Sequence, residues 1–201
     1  MKKTFGIIGA GNIGQAVARH LLKAGYPVVL SNSGDVEVLK PLAARLGAGA
    51  SAGTPAEAAA ADFVLLALPW TKLSTLTKLT DWSGRTVIDA TNQFLTHGPE
   101  FILDDLNGRP STAVVADYIP GARVVKAFNT LYYKVLSQDP EQGGGKRVLF
   151  VSGDDASAKE AVKAVIKDLG FAAVDLGSLE SGSRFQHPNE ALASRNLVQF
   201  P

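Results

Sequence analysis

Gly9-Ala10-Gly11-Asn12-Ile13-Gly14 is the stretch that decides the fold. Ahead of it, Thr4-Phe5-Gly6-Ile7-Ile8 is a short apolar run of the kind buried on both faces in a parallel sheet. Behind it, Ile13, Val17, Leu21 and Leu22 recur at helical spacing, with Gln15, Arg19 and Lys23 on the opposite side. Strand, glycine turn and helix together make G-x-G-x-x-G read as a dinucleotide site; without them it would be an unliganded turn. The glycines have separate tasks. Gly9 permits the tight turn, Gly11 lets a pyrophosphate reach the backbone, and Gly14 lets helix and strand pack closely. The unpaired N–H groups and positive dipole end of the helix then face the anion.

Bulk composition narrows the remaining classes. The 201 residues are 46% hydrophobic and 19% charged, the balance of a soluble globular chain, and their number suits one domain. A formal net charge of +1, with no long run of either sign, argues against binding to nucleic acid or a membrane surface. Cysteine is absent, which excludes disulfides, thiolate ligands and a cysteine nucleophile. The three histidines show no metal-ligand spacing, so no metal is expected. His20 reads as a surface residue of the first helix, while His97 and His187 sit in loops that could approach a substrate. Met1-Lys2-Lys3 has the charge of a signal-peptide start, but glycines and Asn12 interrupt the apolar core that should follow. No apolar stretch approaches the roughly 20 residues that span a bilayer, and a cytoplasmic location is expected.

Along the chain, strands alternate with helices. Pro27 to Leu30 reads as the second strand, followed by a helix carrying Leu39, Leu42, Ala43 and Leu46, which Pro41 delays to about Lys40. Residues 48–53 have room for a short strand, and Thr54-Pro55-Ala56-Glu57 has the spacing of a capping box. Phe63 to Leu68 is the strongest buried strand; Thr71 to Thr80 is a predicted helix and Arg85 to Asp89 the next strand. Asn92 to Pro110 is irregular, with a short helix predicted around Phe101 to Leu106. A helix over Thr112 to Ile119 and strands over Arg123 to Ala127 and Val148 to Val151 follow. Then come a helix over Asp155 to Leu169, a strand over Phe171 to Leu176, and a tail of loop and short helix. This alternation predicts an α/β, Rossmann-type, doubly wound and mostly parallel sheet spanning 1–201, with 176–201 as a short C-terminal extension.

The end of the second strand discriminates between cofactors. An NAD site places Asp or Glu there, to hold the ribose 2′-hydroxyl. Ser31-Asn32-Ser33 offers hydroxyls and an amide instead, which can donate to a 2′-phosphate. NADP is therefore the predicted cofactor, the other reading being that these residues simply form a turn.

With these residues in view, the chain resembles the NADPH-dependent oxidoreductases related to F420-dependent NADP reductase. The resemblance rests on Gly9 to Gly14, Ser31-Asn32-Ser33, Lys126-Ala127-Phe128-Asn129-Thr130, Val151-Ser152-Gly153-Asp154-Asp155 and Asp168 to Asp175, in that order over nearly the whole chain. The same fold forms the cytosolic NADPH domain of membrane ferric and cupric reductases. The resemblance implies hydride transfer between NADP(H) and a deazaflavin (F420) or a flavin-like co-substrate, two rings held face to face. It places the pyrophosphate and 2′-phosphate on the glycine loop and Ser31 to Ser33. Leu68-Pro69 and Ala90-Thr91-Asn92 would lie along the nicotinamide half, and Phe128-Asn129-Thr130 would border the acceptor. Many relatives carry arginine where this chain has Gly34, and Asp35 beside it has the wrong sign for a phosphate.

Hydride transfer needs aligned rings more than an acid or base, so no catalytic side chain is expected. Asn129 reads either as a group orienting an amide or ring oxygen or as a strand-terminating turn residue; Trp70 and Phe128 read as walls or as core. Arg184-Phe185-Gln186-His187-Pro188 is a candidate lid or subunit contact. Leu197 to Phe200 is apolar enough to dock on this chain or on a second copy, a homodimer being one expectation. Three functions remain open: an NADPH-dependent reductase of F420 or flavin, a reductase of another small acceptor such as a ferric chelate, and an NADP-binding sensor without turnover. A hydroxy-acid dehydrogenase is disfavoured, because it adds a long helical domain with a catalytic lysine and Lys126 belongs to a strand.

Overall fold

A computed structural model describes residues 2–96 and 100–201. The first half runs β1 (Phe5–Ile8), α1 (Asn12–Lys23), β2 (Val28–Ser31), α2 (Val36–Leu46), β3 (Ala50–Ala52), α3 (Pro55–Ala59), β4 (Phe63–Leu66) and β5 (Thr86–Asp89). The second runs α4 (Ser111–Tyr118), β6 (Arg123–Lys126), α5 (Tyr133–Leu136), β7 (Glu141–Gln142), β8 (Gly145–Gly153), α6 (Ala156–Asp168), β9 (Ala172–Asp175) and β10 (Val198–Gln199).

Six strands pair in parallel in the order β3-β2-β1-β4-β5-β6. Strand order reverses between β1 and β4, and such a switch point is where open α/β sheets bind ligands. The long β8 then joins β6 antiparallel through Ser152 and Gly153, and carries β9 in parallel and β7 and β10 antiparallel. The sheet is thus mostly parallel, as expected, with an antiparallel edge. β1, β4 and β5 are buried at every position, which explains their unbroken apolar runs. One core face packs Ile7, Leu65 and Ile88 against α1 and α6, and the other packs Ile8, Val64 and Leu66 against α3, Trp82 and α4.

Several expectations need correction. α2 begins at Val36, not Lys40, because Asp35 caps it by accepting from the Glu37 N–H at 2.9 Å. Pro41 is exposed, so the carbonyl it leaves unpaired a turn earlier can be hydrated. The helix expected over 71–80 is a 3₁₀ segment, Trp70–Leu76. No helix forms around 101–106. Leu103 instead bridges Phe94 antiparallel, and the Leu95 and Asp104 N–H groups donate to Ile102 and Gln93 at 2.8 and 2.9 Å. His20 is not a surface residue: its Nε2 lies 2.7 Å from the Leu136 carbonyl and its ring meets Phe171 edge-on. Burial lowers its pKa despite that hydrogen bond. The tail holds a strand as well as a 3₁₀ turn, Ser183–Gln186, and β10 docks its apolar end on this chain's own β8.

Candidate active site

The ends of β1, β2, β4, β5 and β6 open onto one cleft of about 1070 Å³. At its floor the glycine loop turns at Gly9, whose φ of +116° brings its Cα side against β4: a Cβ there would lie 2.3 Å from the Ala67 carbonyl oxygen. Gly14 is closed in another way, since a Cβ would lie 2.0 Å from the Gly9 carbonyl oxygen. Gly11 is open. A Cβ there would meet nothing within 4 Å, and no side chain caps the start of α1, where no acidic residue occupies the first turn. An uncapped helix start beside open space, held by Gln15 Nε2 donating to the Ala10 carbonyl at 2.8 Å, fits a pyrophosphate.

At the β2 end, Asn32 and Ser33 line the cleft while Ser31 does not. Ser31 is fully buried, and its hydroxyl donates to the Ile7 carbonyl at 3.0 Å. Its own carbonyl accepts from the Gly9 N–H at 2.9 Å, so it fixes the glycine loop from beneath. Asn32 Oδ1 accepts from the Gly34 N–H at 2.8 Å, which shapes the loop, and Ser33 is exposed. The carboxylate of Asp35 is directed to the α2 N-terminus.

Leu68, Pro69, Ala90, Thr91 and Asn92 form the middle of the cleft, and Asn129 and Thr130 its far side. Phe128 is a core residue, 2% exposed, with a φ of +65° that is rare for a bulky side chain. That twist turns the chain sharply after β6 and delivers Asn129 to the cleft. Asn129 Nδ2 donates to Asn92 Oδ1 at 2.9 Å and to the Gln186 carbonyl at 2.7 Å, and Asn92 Nδ2 donates back to the Asn129 carbonyl at 3.1 Å. Gln186 is 1% exposed and accepts from Ser152 Oγ at 2.6 Å. The tail segment flagged as a lid is therefore tied into the strand ends of its own chain. His187 accepts from the Ser111 N–H at the start of α4 at 3.0 Å, and its pKa is lowered by burial first and then by Lys126 and Arg184. His97 lies outside the described residues.

Beneath Thr91 sits a pair the sequence reading passed over. Lys126 and Asp89, neighbours in register on β6 and β5, are both 0% exposed and bridge at 2.9 Å. Lys126 Nζ also donates to the Thr91 carbonyl at 2.6 Å, and Asp89 Oδ1 accepts from the Thr91 N–H and hydroxyl at 2.8 and 2.7 Å. The signal was present: opposite charges close two consecutive buried strands. Beyond Asn129, the walls are aromatic. Trp70, held by Nε1 donating to Asp104 at 2.8 Å, joins Phe94, Phe101, Tyr132 and Tyr133.

The family model described as NADP oxidoreductase, coenzyme F420-dependent, matches residues 4–93, the glycine loop, β2 end and β5 end just described. That match covers just under half of the chain. The fold is Rossmann-type, and the matched family is one of NADP-dependent oxidoreductases. The structure is similar to a hypothetical protein of Sinorhizobium meliloti, with a TM-score of 0.92 and 41% identity over 98% of this chain and 96% of the other. It is also similar to a protein of Arthrobacter described as a candidate F420-dependent NADP reductase, with a TM-score of 0.77 and 25% identity over 89% and 86%. Among curated proteins, metalloreductase STEAP3 of Rattus norvegicus is 28% identical over 179 residues, 88% of this chain. This chain spans 34% of that relative's length. Among the described residues, no helix is long and apolar enough to cross a membrane and no group of side chains is arranged to hold a metal ion.

Proposed function

We propose that the chain passes a hydride between NADP(H) and the flat ring of a deazaflavin or flavin-like acceptor. The observation that carries this reading is the continuity of the cleft, which runs from Gly11 and Ser33 past Leu68 and Asn92 to Asn129 without a break. Gly9 to Ile13 would hold the pyrophosphate, Asn32 and Ser33 the 2′-phosphate, and Leu68, Pro69 and Ala90 to Asn92 the nicotinamide. Ser31, Gly14 and Phe128 would shape the site from behind. When bound, NADPH supplies the hydride from C4 of its nicotinamide ring.

The chain's own residues orient and exclude water. Asn92 Nδ2 has two hydrogens and gives one to the Asn129 carbonyl, leaving one for a carboxamide oxygen. The Lys126–Asp89 pair fixes the backbone of Thr91 and so the direction of Asn92. Gln186 fixes Asn129 and makes residues 176–201 part of the same unit. Anaerobic mixing of NADPH with F420, a free flavin and a ferric chelate tests the reading. Rapid loss of reduced-nicotinamide absorbance with a ring acceptor supports it. NADPH that binds but is consumed by none of the three would favour a sensor, and consumption by the ferric chelate alone a metalloreductase.

A further inference from the structure

The acceptor half of the cleft has a chemistry of its own. The parallel order of β1, β4, β5 and β6 sets residues after β5 and β6 farther from the glycine loop than Leu68 and Pro69. Two aromatic pairs stand there. Phe94 and Phe101 have ring centroids 5.2 Å apart, and Tyr132 and Tyr133 are 4.6 Å apart. Phe101 and Tyr132 are 66% and 54% exposed at the mouth, so each presents ring surface to a molecule entering the cleft. Among the described lining residues of the whole cleft there is no carboxylate, arginine or histidine, and Lys72 on the exposed rim is the single charge. The Asp104 carboxylate is engaged by the indole of Trp70.

We propose that this half takes an uncharged, planar aromatic acceptor, an isoalloxazine or quinone ring without a phosphate or carboxylate, seated between the Phe94–Phe101 and Tyr132–Tyr133 pairs. The inference rests on the hydride-transfer reading above and narrows it. An anionic group drawn in among these walls would lose its hydration with no cation among the described wall residues to replace it, while a flat neutral ring gains apolar contact and stacking. The step is balanced: the C4–H bond of NADPH breaks, the hydride adds to the acceptor ring, a proton from water completes its two-electron reduction, and NADP⁺ is left.

Riboflavin and FMN test this directly, because they share one ring and differ by a phosphate. In anaerobic stopped-flow with NADPH, the kcat/KM for riboflavin is expected to exceed that for FMN by about tenfold. Phe101→Arg, at an exposed position, is expected to narrow that ratio about fivefold while the Kd for NADPH stays unchanged. FMN turned over as fast as riboflavin, or faster, overturns the inference and leaves hydride transfer standing. NADPH left unoxidised by riboflavin, FMN, a neutral naphthoquinone and F420 overturns both.

Discussion

At Gly11 a methyl group would meet no atom within 4 Å, whereas at Gly14 it would lie 2.0 Å from a backbone carbonyl oxygen. Under the proposed function Gly11 would serve binding and Gly14 folding, and substitutions can tell them apart. Gly11→Ala is expected to leave Tm within roughly 2 °C of wild type and to weaken NADPH binding about tenfold or more. Gly14→Ala is expected to cost roughly 1–3 kcal/mol of stability in urea unfolding. Equal losses of Tm in both variants would contradict this division. The motif itself was readable from spacing; that Ser31 faces inward was not. A four-residue strand offers both faces, and only the register of β2 on β1 shows Ser31 beside Ile8, with its hydroxyl on the Ile7 carbonyl. Asp35 is the converse case. Its sequence position suggested repulsion of a phosphate, but its carboxylate is the cap of α2.

Between elements, the decisive contacts are polar and buried, and these are what a linear reading sees least. Lys126 and Asp89 lie in strands thirty-odd residues apart, joined only by strand pairing. Asp89→Asn leaves a buried ammonium without its counter-charge and is expected to cost about 3–5 kcal/mol in urea unfolding; a loss under about 1 kcal/mol would contradict a structural role. His187 ties the tail to α4 through the Ser111 N–H, an acceptor role open only to its neutral form. Its folded pKa lies below the usual 6.5, so as pH falls the unfolded chain takes up the proton first. The stability this residue contributes is therefore present above about pH 6.5 and is lost as pH falls from there toward the folded pKa. His20 shifts the same way, so wild type must be compared with His187→Gln. The variant is expected to lose less stability on acidification, and identical pH profiles would contradict the link. The helix start expected near Lys40 and the helix expected around Phe101 give way for a related reason: a cap overrides Pro41, and cross-strand pairing of Phe94 with Leu103 overrides helical propensity.

Over the whole molecule, alternation of strands and helices was enough to anticipate the mostly parallel sheet, because the apolar runs of β1, β4 and β5 are buried on both faces. The antiparallel edge was less legible, since β7 and β10 have two residues each and depend on β8 for their existence. The end of the cleft formed by the glycine loop was legible because that motif sits at fixed spacing between a strand and a helix. The acceptor half was not, since aromatic residues after β5, after β6 and in the 3₁₀ segment converge only in the folded chain. What unites the halves is one continuous cleft that would fix the nicotinamide between Leu68-Pro69 and Asn92 with a single face toward Tyr132 and Phe101. Stereospecificity of hydride transfer measures that arrangement most directly. With NADPH deuterated at C4 on one face or the other and riboflavin as acceptor, the NADP⁺ formed is expected to have lost the label from one epimer and kept it from the other. Loss of label from both epimers alike, or no oxidation of NADPH that is shown to bind, would contradict the account.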